Sequence, residues 1–321
     1  MKKIIIDTNG ADLGIEMVVK GAVSAALKYD QYRIVLVGKE EIIRPILVEN
    51  KVEDRIDIIN ALDEVTNNDS PKEVVKGRED SSLVKGYLAL RDDEDAVAMI
   101  SCGSTGAFLV GSIFRLGMVE GAKRPSLASC LMTVQGKRFA LVDCGANIDI
   151  DAYTLVSFAK MGTALMRSVY ERPENPRVAL LNVGKEEKKG NALCHEAYPL
   201  LKDSGLNFVG NVEGDGVLLG HADVVVCDGF SGNLILKSIC ATAVICSKIV
   251  EKNSKDESAM KQIDEMFNYN DRGAAIVLGP KKICLKAHGS ATEHTIVSVV
   301  ELAIQLHEGE FIQRMKEELN R

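Results

Sequence analysis

The sequence lacks the signature motifs of several functional classes. Its eight cysteines are scattered without a CxxC pair, which argues against a disulfide framework or a zinc site and is typical of a reducing cytosol. Its five histidines include no HxH or HExxH spacing for a metal. Acidic residues (46) outnumber basic ones (39), and this net charge of −7 argues against a broad nucleic-acid surface. We therefore expect no metal site and no nucleic-acid partner.

Long apolar runs, repeats and linkers are also missing. The N-terminal MKKIIIDTNGAD has too short an apolar run for a signal peptide and leads directly into a strand. Lys237 and Lys248 interrupt the most apolar long segment, Leu234–Val250, so we predict that it does not span a membrane. No composition break divides the 321 residues, and we expect one domain over 1–321.

What is present is an alternation of strand-like and helix-like segments. KKIIID precedes a helix near Ile15–Lys28, YRIVLVG precedes EEIIRPILVEN, and VKGYLALRD precedes AVAMIS. This βαβ rhythm predicts a largely parallel sheet covered by helices on both faces. PSLASCLMTVQG and KRFALVDCGAN are expected to form a pair of strands. A last helix is expected over Thr292–Gln305, followed by a frayed charged tail.

The stretch Asn207–Lys237 contains the densest group of polar turn residues. NFVGNV and ADVVVCDG are predicted strands, each ends in a Gly-rich turn, and a helix follows the second turn. The polar residues at these strand ends and at the helix start are Asn211, Glu213, Asp228, Ser231 and Asn233. Ligands bind at the carboxyl edge of open α/β sheets, and helix N-termini offer unpaired N–H groups to anions. We predict a small-molecule site there.

Other turns share this placement. AVAMIS ends in SCGSTG, where Gly103 and Gly106 let the backbone approach an anion while Ser104 and Thr105 add hydroxyl donors. Tight packing between strand and helix is an equally open explanation of these small residues. The turn is neither a Walker A loop nor a GxGxxG dinucleotide turn, and GDGVLLG is also rejected as one because Asp228 follows it too closely.

Three more strand ends carry candidate residues. KRFALVDCGAN ends with Asp143 and Asn147, and PRVALLNVG is followed by a charged turn with Lys189 and Asn191. A solvated turn that begins a helix is the plain alternative for the charged run. His288 ends the run KKICLKAH at a further strand-to-helix turn, where a functional and a structural role are equally open.

A polar segment, 251–272, is expected to pair with the helix before it. Its apolar positions recur at helical spacing, which predicts a projecting helical hairpin around 234–272. Such a hairpin suits docking of a partner subunit, a carrier protein or a membrane surface. A purely structural hairpin is the alternative.

Six segments together resemble one family. SCGSTGA, LVDCGAN, LLNVGKEEKKGN, NFVGNVEG, ADVVVCDGFSGN and LKAHGS occur in the order and spacing of the bacterial phosphate acyltransferase (PlsX) family of phospholipid synthesis. The resemblance covers nearly the whole chain. It implies a three-layer α/β/α sandwich with one large mixed, mostly parallel sheet, similar to the isocitrate/isopropylmalate dehydrogenase type. It also implies a homodimer without metal or cofactor, cytoplasmic and peripherally associated with the membrane.

The reaction implied by the resemblance moves a fatty acyl group from an acyl-carrier-protein thioester to inorganic phosphate. The acyl phosphate product would pass to a membrane acyltransferase. As a hypothesis we assign Lys189, Asn233 and His288 to catalysis. Residues assigned to phosphate or substrate binding, or to orienting these groups, are Gly103, Ser104, Thr105, Gly106, Asn147, Asn191, Asn211, Glu213, Asp228 and Ser231, with Asp143 behind them.

The sequence departs from the family pattern at two turns. The usual DAMGGD is Asp7–Asp12 here, DTNGAD, and Ser104 replaces the usual Asn. Two alternatives therefore stay open: a short-chain phosphate acyltransferase that uses coenzyme A thioesters, and a catalytically weakened relative that acts as a binding scaffold. A decarboxylating dehydrogenase would need a metal-binding Asp cluster that we do not find in the sequence.

Overall fold

The computed structural model describes residues 1–72, 74, 77–169, 174–254, 256–267 and 274–321, with side chains of 264–267 left out. The chain divides into two compact units. Unit 1 comprises Met1–Val119 and Asn270–Glu308, and unit 2 comprises Glu120–Tyr269 and Gly309–Arg321. The chain thus leaves unit 1 once and returns to it. The expectation of one domain over the whole chain stays a prediction.

Unit 1 consists of strands flanked by helices. Its strands are β1 (Lys3–Asp7), β2 (Arg33–Gly38), β3 (Ile56–Asn60), β4 (Ala96–Ser101), β10 (Ala275–Leu278) and β11 (Ile283–Lys286). Its helices are α1 (Ile15–Lys28), α2 (Glu40–Asn50), α3 (Ser82–Asp92), α4 (Thr105–Gly111, continued by a π-helical turn, Ser112–Leu116) and α9 (Glu293–Glu308). The strand order is β3-β2-β1-β4-β11-β10, with β10 antiparallel to β11 and the other neighbours parallel.

The central strands of unit 1 are buried on both faces. Ile4, Ile5 and Ile6 are at most 1% exposed, which explains why β1 is a continuous apolar run without alternation. Helix α1 packs closely on α9 because Gly21 has no Cβ, which would clash with the Ile296 side chain.

Unit 2 also consists of strands flanked by helices. Its strands are β5 (Ser126–Met132), β6 (Arg138–Val142), β7 (Arg177–Leu181), β8 (Asn207–Val212) and β9 (Val224–Val226). Its helices are α5 (Ala152–Ser168), α6 (Ala192–Lys202), α7 (Gly229–Asn253), α8 (Glu257–Phe267) and α10 (Phe311–Asn320), with a short 3₁₀ turn at Val217–Leu219. The strand order is β5-β6-β9-β7-β8, with β5 and β6 antiparallel and the other pairs parallel.

The predicted α/β class with a mixed, mostly parallel sheet and flanking helices is confirmed. The predicted pair of strands around 125–147 is the antiparallel pair β5 and β6. The helix predicted near Ile15–Lys28 has those bounds. These agreements follow from local signals, since each element carries its own apolar period and its own turn residues.

The prediction of a frayed C-terminal tail is wrong. Residues Phe311–Asn320 form α10, which packs on α5. Phe311 and Met315 lie one helical turn apart and are 1% and 0% exposed, so they anchor the helix in the interior of unit 2. Glu318 is also buried and forms an ion pair with Arg167. The helical spacing of Phe311 and Met315 is a local signal for a helix, but the helix that it packs on lies about 150 residues earlier and cannot be seen in a short window of sequence.

The predicted hairpin corresponds to α7 and α8, which pack against each other. Residue 255 and residues 268–272 of that prediction lie outside the described residues, and its projection stays a prediction. Helix α7 has 25 residues with a mean hydropathy of 1.6 in its most apolar window, and 11% of that window is buried. By length and composition alone this helix is sufficient to cross a membrane, contrary to what the shorter segment Leu234–Val250 indicated.

Candidate active site

The turn after β4 carries the predicted anion-binding residues of unit 1. Gly103 and Ser104 are half-buried, whereas Thr105 and Gly106 are exposed at the start of α4. The Ser104 hydroxyl accepts a hydrogen bond from the Ala107 amide at 3.5 Å, which makes it the N-cap of α4. Replacement of the family's usual Asn by Ser thus keeps a capping side chain at this position.

A loop after β1 lies directly against this turn. Gly10 has φ +83°, and a Cβ there would clash with the Gly103 Cα. On the other side of the loop, the Asp12 amide donates to the Gly289 carbonyl oxygen at 2.7 Å. The DTNGAD sequence therefore keeps the glycine that its backbone requires, because Gly10 and not Ala11 has the positive φ.

Beneath the turn lies a buried carboxylate that the sequence did not reveal. Asp7 ends β1 and is 3% exposed; it accepts hydrogen bonds from the Ser101 hydroxyl at 2.8 Å and from the Asn9 amide at 3.2 Å. Burial raises the pKa of Asp7, and hydrogen bonds from Ser82 and Ser101 oppose that rise. The Ser101 hydroxyl in turn accepts from the Gly103 amide at 3.1 Å, so this network reaches the turn.

His288 lies exposed just after β11, also in unit 1. Its Nδ1 lies 2.8 Å from the Ser290 hydroxyl and 3.2 Å from the Ser290 amide nitrogen. Because a backbone N–H only donates, Nδ1 is an acceptor, and the neutral imidazole carries its proton on Nε2. Ser290 therefore orients the ring and sets its tautomer.

In unit 2, the loop after β6 is organised around Asp143. This residue is 0% exposed, and its carboxylate accepts from the amides of Gly145 (3.1 Å), Ala146 (3.0 Å), Asn147 (2.8 Å) and Leu127 (3.1 Å). Burial raises the pKa of Asp143, and these hydrogen bonds oppose the rise. The loop shape thus depends on one carboxylate and several backbone groups.

Asn147 belongs to the same loop and is engaged on both sides. Its side-chain amide donates to the Pro125 carbonyl oxygen at 2.7 Å and to the Asp143 carboxylate at 2.9 Å, which uses both N–H groups. Its own carbonyl oxygen accepts from the Gly229 amide at 2.7 Å. This geometry favours an orienting role for Asn147, which joins the loop to α7.

The first turn of α7 holds three of the predicted residues. Asp228 is the N-cap, and its carboxylate accepts from the Ser231 amide and the Ser231 hydroxyl, both at 2.9 Å. Asn233 is half-buried and donates to the Cys144 carbonyl oxygen at 3.1 Å. Gly232 permits this close approach because a Cβ there would clash with the Asp143 carbonyl oxygen.

The turn between β7 and α6 presents Lys189. Its side chain is exposed, and within the described residues it forms no ion pair. Its aliphatic stem lies over Gly184, where a Cβ would approach the Lys189 Cγ to 2.8 Å. Asn182, only 8% exposed, donates from its side chain to the Lys189 carbonyl oxygen at 3.0 Å. A buried side chain therefore holds the backbone of an exposed cation.

The remaining predicted residues support this turn. Asn191 is the N-cap of α6 and accepts from the Cys194 amide at 3.0 Å. Asn211 at the end of β8 donates to the Glu186 carbonyl oxygen at 2.8 Å, and its Oδ1 is buried without a partner among the described residues. Glu213 follows β8, and its carbonyl oxygen accepts from Gly216 at 3.0 Å.

Unit 2 thus contains most of the residues that the sequence predicted, in two groups. Asn147, Asp228, Ser231 and Asn233 surround the Asp143 loop, while Asn191 and Asn211 support the Lys189 turn. Asn182 in unit 2 and Asp7 in unit 1 were missed. Asn182 could have been predicted from the sequence, because it directly follows a buried strand. In the part of the chain that the structure describes, no group of three or more His, Cys, Asp or Glu side chains is arranged to hold a metal ion.

Solved structures that share this fold include phosphotransacylases. The EutD phosphotransacetylase from Staphylococcus aureus aligns with a TM-score of 0.62 at 14% identity, covering 97% of this chain and 94% of that one. A branched-chain phosphotransacylase from Enterococcus faecalis V583 aligns with a TM-score of 0.56 at 14% identity, covering 98% and 99%. At such identities the likeness defines the fold, which is the α/β fold of the phosphotransacylases.

Sequence relatives define the family. A phosphate acyltransferase from Clostridium tetani (strain Massachusetts / E88) is 38% identical over 329 aligned positions, covering 99% of this chain and 98% of the relative. The phosphate acyltransferase of Bacillus cereus (strain B4264) is 39% identical over 309 positions, covering 93% and 92%. The model of the family described as "Fatty acid synthesis protein" matches residues 2–314. The chain belongs to this phosphate acyltransferase family, as its motifs indicated, and is an acyltransferase of fatty acid and phospholipid synthesis.

Proposed function

We propose that this enzyme transfers a long-chain fatty acyl group from an acyl-carrier-protein thioester to inorganic phosphate. The observation that carries the proposal is Lys189, an exposed ammonium whose backbone is held by the buried Asn182. An exposed cation on a fixed turn suits a small anionic substrate, because the charge is available and its position costs little further ordering.

The chemistry needs an anion cradle, stabilisation of an oxyanion and a proton for the leaving thiolate. A phosphate oxygen forms a bond to the thioester carbonyl carbon, and the C=O electron pair moves onto oxygen. When that pair returns, the C–S bond breaks and the pair leaves with sulfur. The thiolate then takes a proton, which gives acyl phosphate and the free carrier thiol.

In unit 2 we assign the charge-stabilising groups. Lys189 binds phosphate or the developing negative charge, and Asn233 donates a hydrogen bond from the first turn of α7. The Cys144 carbonyl oxygen fixes the Asn233 side-chain amide by accepting a hydrogen bond from it at 3.1 Å. Asn211, Glu213, Asp228 and Ser231 orient these groups.

In unit 1 we assign the Gly103–Gly106 turn to phosphate binding and His288 to proton transfer. The contact with Ser290 supports the role of His288. Because Nδ1 accepts from Ser290, the proton of the neutral ring is on Nε2. The imidazolium form of this ring can protonate a thiolate, and the neutral form can donate a hydrogen bond from Nε2–H to an oxyanion.

The proposal is tested by phosphate-dependent release of free thiol from palmitoyl-acyl carrier protein, with acetyl-coenzyme A as the parallel substrate. We expect rapid release from the carrier substrate, no release without phosphate, and a product that hydroxylamine converts to the hydroxamate. Release from acetyl-coenzyme A alone would identify a short-chain enzyme. Release without phosphate would identify a thioesterase, and no release from either substrate would support the scaffold alternative.

We also propose that the enzyme is a cytoplasmic homodimer with peripheral membrane contact, and that α7 forms the dimer contact. Phe230, Leu234, Ile245 and Ile249 recur at helical spacing and are 58%, 53%, 58% and 54% exposed, which is unusual for large apolar side chains along one helix. An Ile245→Asp, Ile249→Asp variant should be monomeric by light scattering, whereas Val48→Asp, at a 53% exposed site in unit 1, should remain dimeric. Vesicle flotation of both variants tests the membrane contact.

A further inference from the structure

A buried lysine lies behind the Gly103–Gly106 turn in unit 1. Lys286 is the last residue of β11 and is only 8% exposed. Its ammonium donates to the Cys102 carbonyl oxygen at 3.1 Å and to the Ala287 carbonyl oxygen. Lysine is almost never buried to this extent without partners, because removing an ammonium from water is costly. This side chain therefore needs an explanation.

The charge environment of Lys286 is mixed. Burial lowers the pKa of the ammonium, while the Cys102 thiol and the carboxylates of Asp7 and Asp12 act in the opposite direction. Neither carboxylate forms an ion pair with Lys286 within the described residues. The direct partners of the ammonium are thus backbone carbonyl oxygens, and one of them belongs to the residue immediately before Gly103.

These contacts fix the chain where it leaves β4. Lys286 is paired in register with Ser101, and the Ala287 amide donates to the Ser101 carbonyl oxygen at 3.0 Å. The next peptide group, between Cys102 and Gly103, is held at both ends. Its carbonyl oxygen accepts from Lys286, and its N–H donates to the Ser101 hydroxyl at 3.1 Å. The orientation of this peptide sets the direction of the amides that follow it in the turn.

We propose that Lys286 is a positioning residue for phosphate: its ammonium holds the Cys102 carbonyl oxygen beneath the Gly103–Gly106 turn and adds a positive charge behind it. The proposal rests on the function proposed above, because it takes this turn as a phosphate-binding element. It goes beyond that function by assigning the buried face of the turn to a cation that does not touch the substrate.

The residue before the same strand is a natural control. Lys282 lies just before β11, and its ammonium donates to the Ala96 carbonyl oxygen at 2.7 Å. Burial lowers the pKa of this lysine too. Both lysines therefore bind a backbone carbonyl next to β4, but Ala96 begins that strand and Cys102 follows its end. Only Lys286 lies beside the turn.

The experiment compares Lys286→Met with Lys282→Met in the full chain. Binding of inorganic phosphate is measured by calorimetry, and the KM values for phosphate and for the acyl donor are measured separately. We expect Lys286→Met to raise the Kd and the KM for phosphate at least about tenfold, the size of a lost charged contact, with the donor KM within about twofold. Lys282→Met should change each value less than about twofold, although both variants unfold at lower temperature.

The outcomes that would overturn the role of Lys286 are as specific as the expected one. A folded Lys286→Met that binds phosphate within about twofold of wild type overturns the proposal, as does an equal loss in Lys282→Met, which would indicate general destabilisation. Wild-type enzyme that binds no phosphate would overturn the proposed function along with it. If Lys286→Met does not fold, Lys286→Gln replaces it: the amide keeps a donor but lacks the charge, so the same loss is expected and an unchanged Kd overturns the proposal.

Discussion

The strand ends of the two units use charge in different ways. In unit 1 the charges at the strand ends, Asp7 and Lys286, are buried and hydrogen-bonded to the backbone or to neighbouring side chains. In unit 2 the carboxylate of Asp143 is buried in the same manner, but the cation Lys189 is exposed. Buried charges determine the shape of a turn, whereas an exposed charge is available to a ligand.

This difference predicts which substitutions change activity and which change stability. A buried charge supports several backbone hydrogen bonds, so its removal lowers the stability of the fold as well as the affinity of the turn that it supports. An exposed charge has few contacts to lose, so its removal affects ligand binding and the transition state.

The largest effect on activity is expected for Lys189→Ala. If Lys189 stabilises the developing charge, phosphate-dependent turnover should fall about 100- to 1000-fold, the usual cost of removing one such group. The free energy of unfolding should change by less than about 0.5 kcal/mol, because the side chain is exposed. Lys188→Ala is the matched control on the same exposed turn. Turnover of Lys189→Ala within about threefold of wild type would remove Lys189 from catalysis.

A loss of stability is expected at two positions where a glycine lets two backbone segments lie in contact. Gly232→Ala would place a methyl group against the Asp143 carbonyl oxygen, and Gly10→Ala would place one against the Gly103 Cα. Each should lower the free energy of unfolding by about 1–3 kcal/mol or more, since backbone cannot move aside easily. Gly10 also has φ +83°, which adds strain.

Gly214→Ala is the control for this pair. The nearest atom to a Cβ there would be the Ile235 Cδ1 at 3.9 Å, an ordinary contact. Chemical denaturation of the three variants measures the difference. Equal stability of Gly232→Ala and Gly214→Ala would show that the Asp143 loop and α7 are not held as closely as described.

The smallest effect concerns alkaline pH. Burial lowers the folded-state pKa of Lys286 and Lys282 below the usual 10.5. Between the lowered pKa and 10.5, the unfolded chain therefore binds more protons than the folded chain. The free energy of unfolding of the wild type therefore increases as the pH rises from the lowered pKa to 10.5. Lys286→Met and Lys282→Met lack this gain, and the stability difference should shift in favour of the wild type with rising pH. Denaturation curves across that range test the sign.

Much of the fold could be predicted because its signals are local. The apolar run of β1, the antiparallel pair β5 and β6, and the bounds of α1 follow from periods and turn residues in short windows. Helix α10 has the local period of an amphipathic helix, but its packing could not be predicted in this way. Phe311 and Met315 become anchors only when α5, which is distant in sequence, provides a surface for them.

The same reasoning separates the candidate site residues. Lys189, Asn233 and the Gly103–Gly106 turn could be proposed because glycine and polar residues directly follow apolar runs. Lys286 could not, because it follows the short apolar run Ile283–Leu285, and a lysine at the end of such a run normally reaches solvent. Its burial results from pairing of β11 with β4, almost 200 residues apart, and from the turn that covers it. Non-local pairing of this kind leaves no pattern in a short window of sequence.

The Asp143 loop has a consequence for how this sequence tolerates change. Its carboxylate is bonded to the main-chain amides of Gly145, Ala146 and Asn147, and every residue type except proline has such an amide. In a saturation mutagenesis library selected for folded protein, position 146 should accept most residues other than proline, while position 143 should accept almost none. The Asp143 side chain thus carries the constraint at position 146, where the residue's own side chain is left free to diverge, whereas Asn147 and Gly145 have constraints of their own.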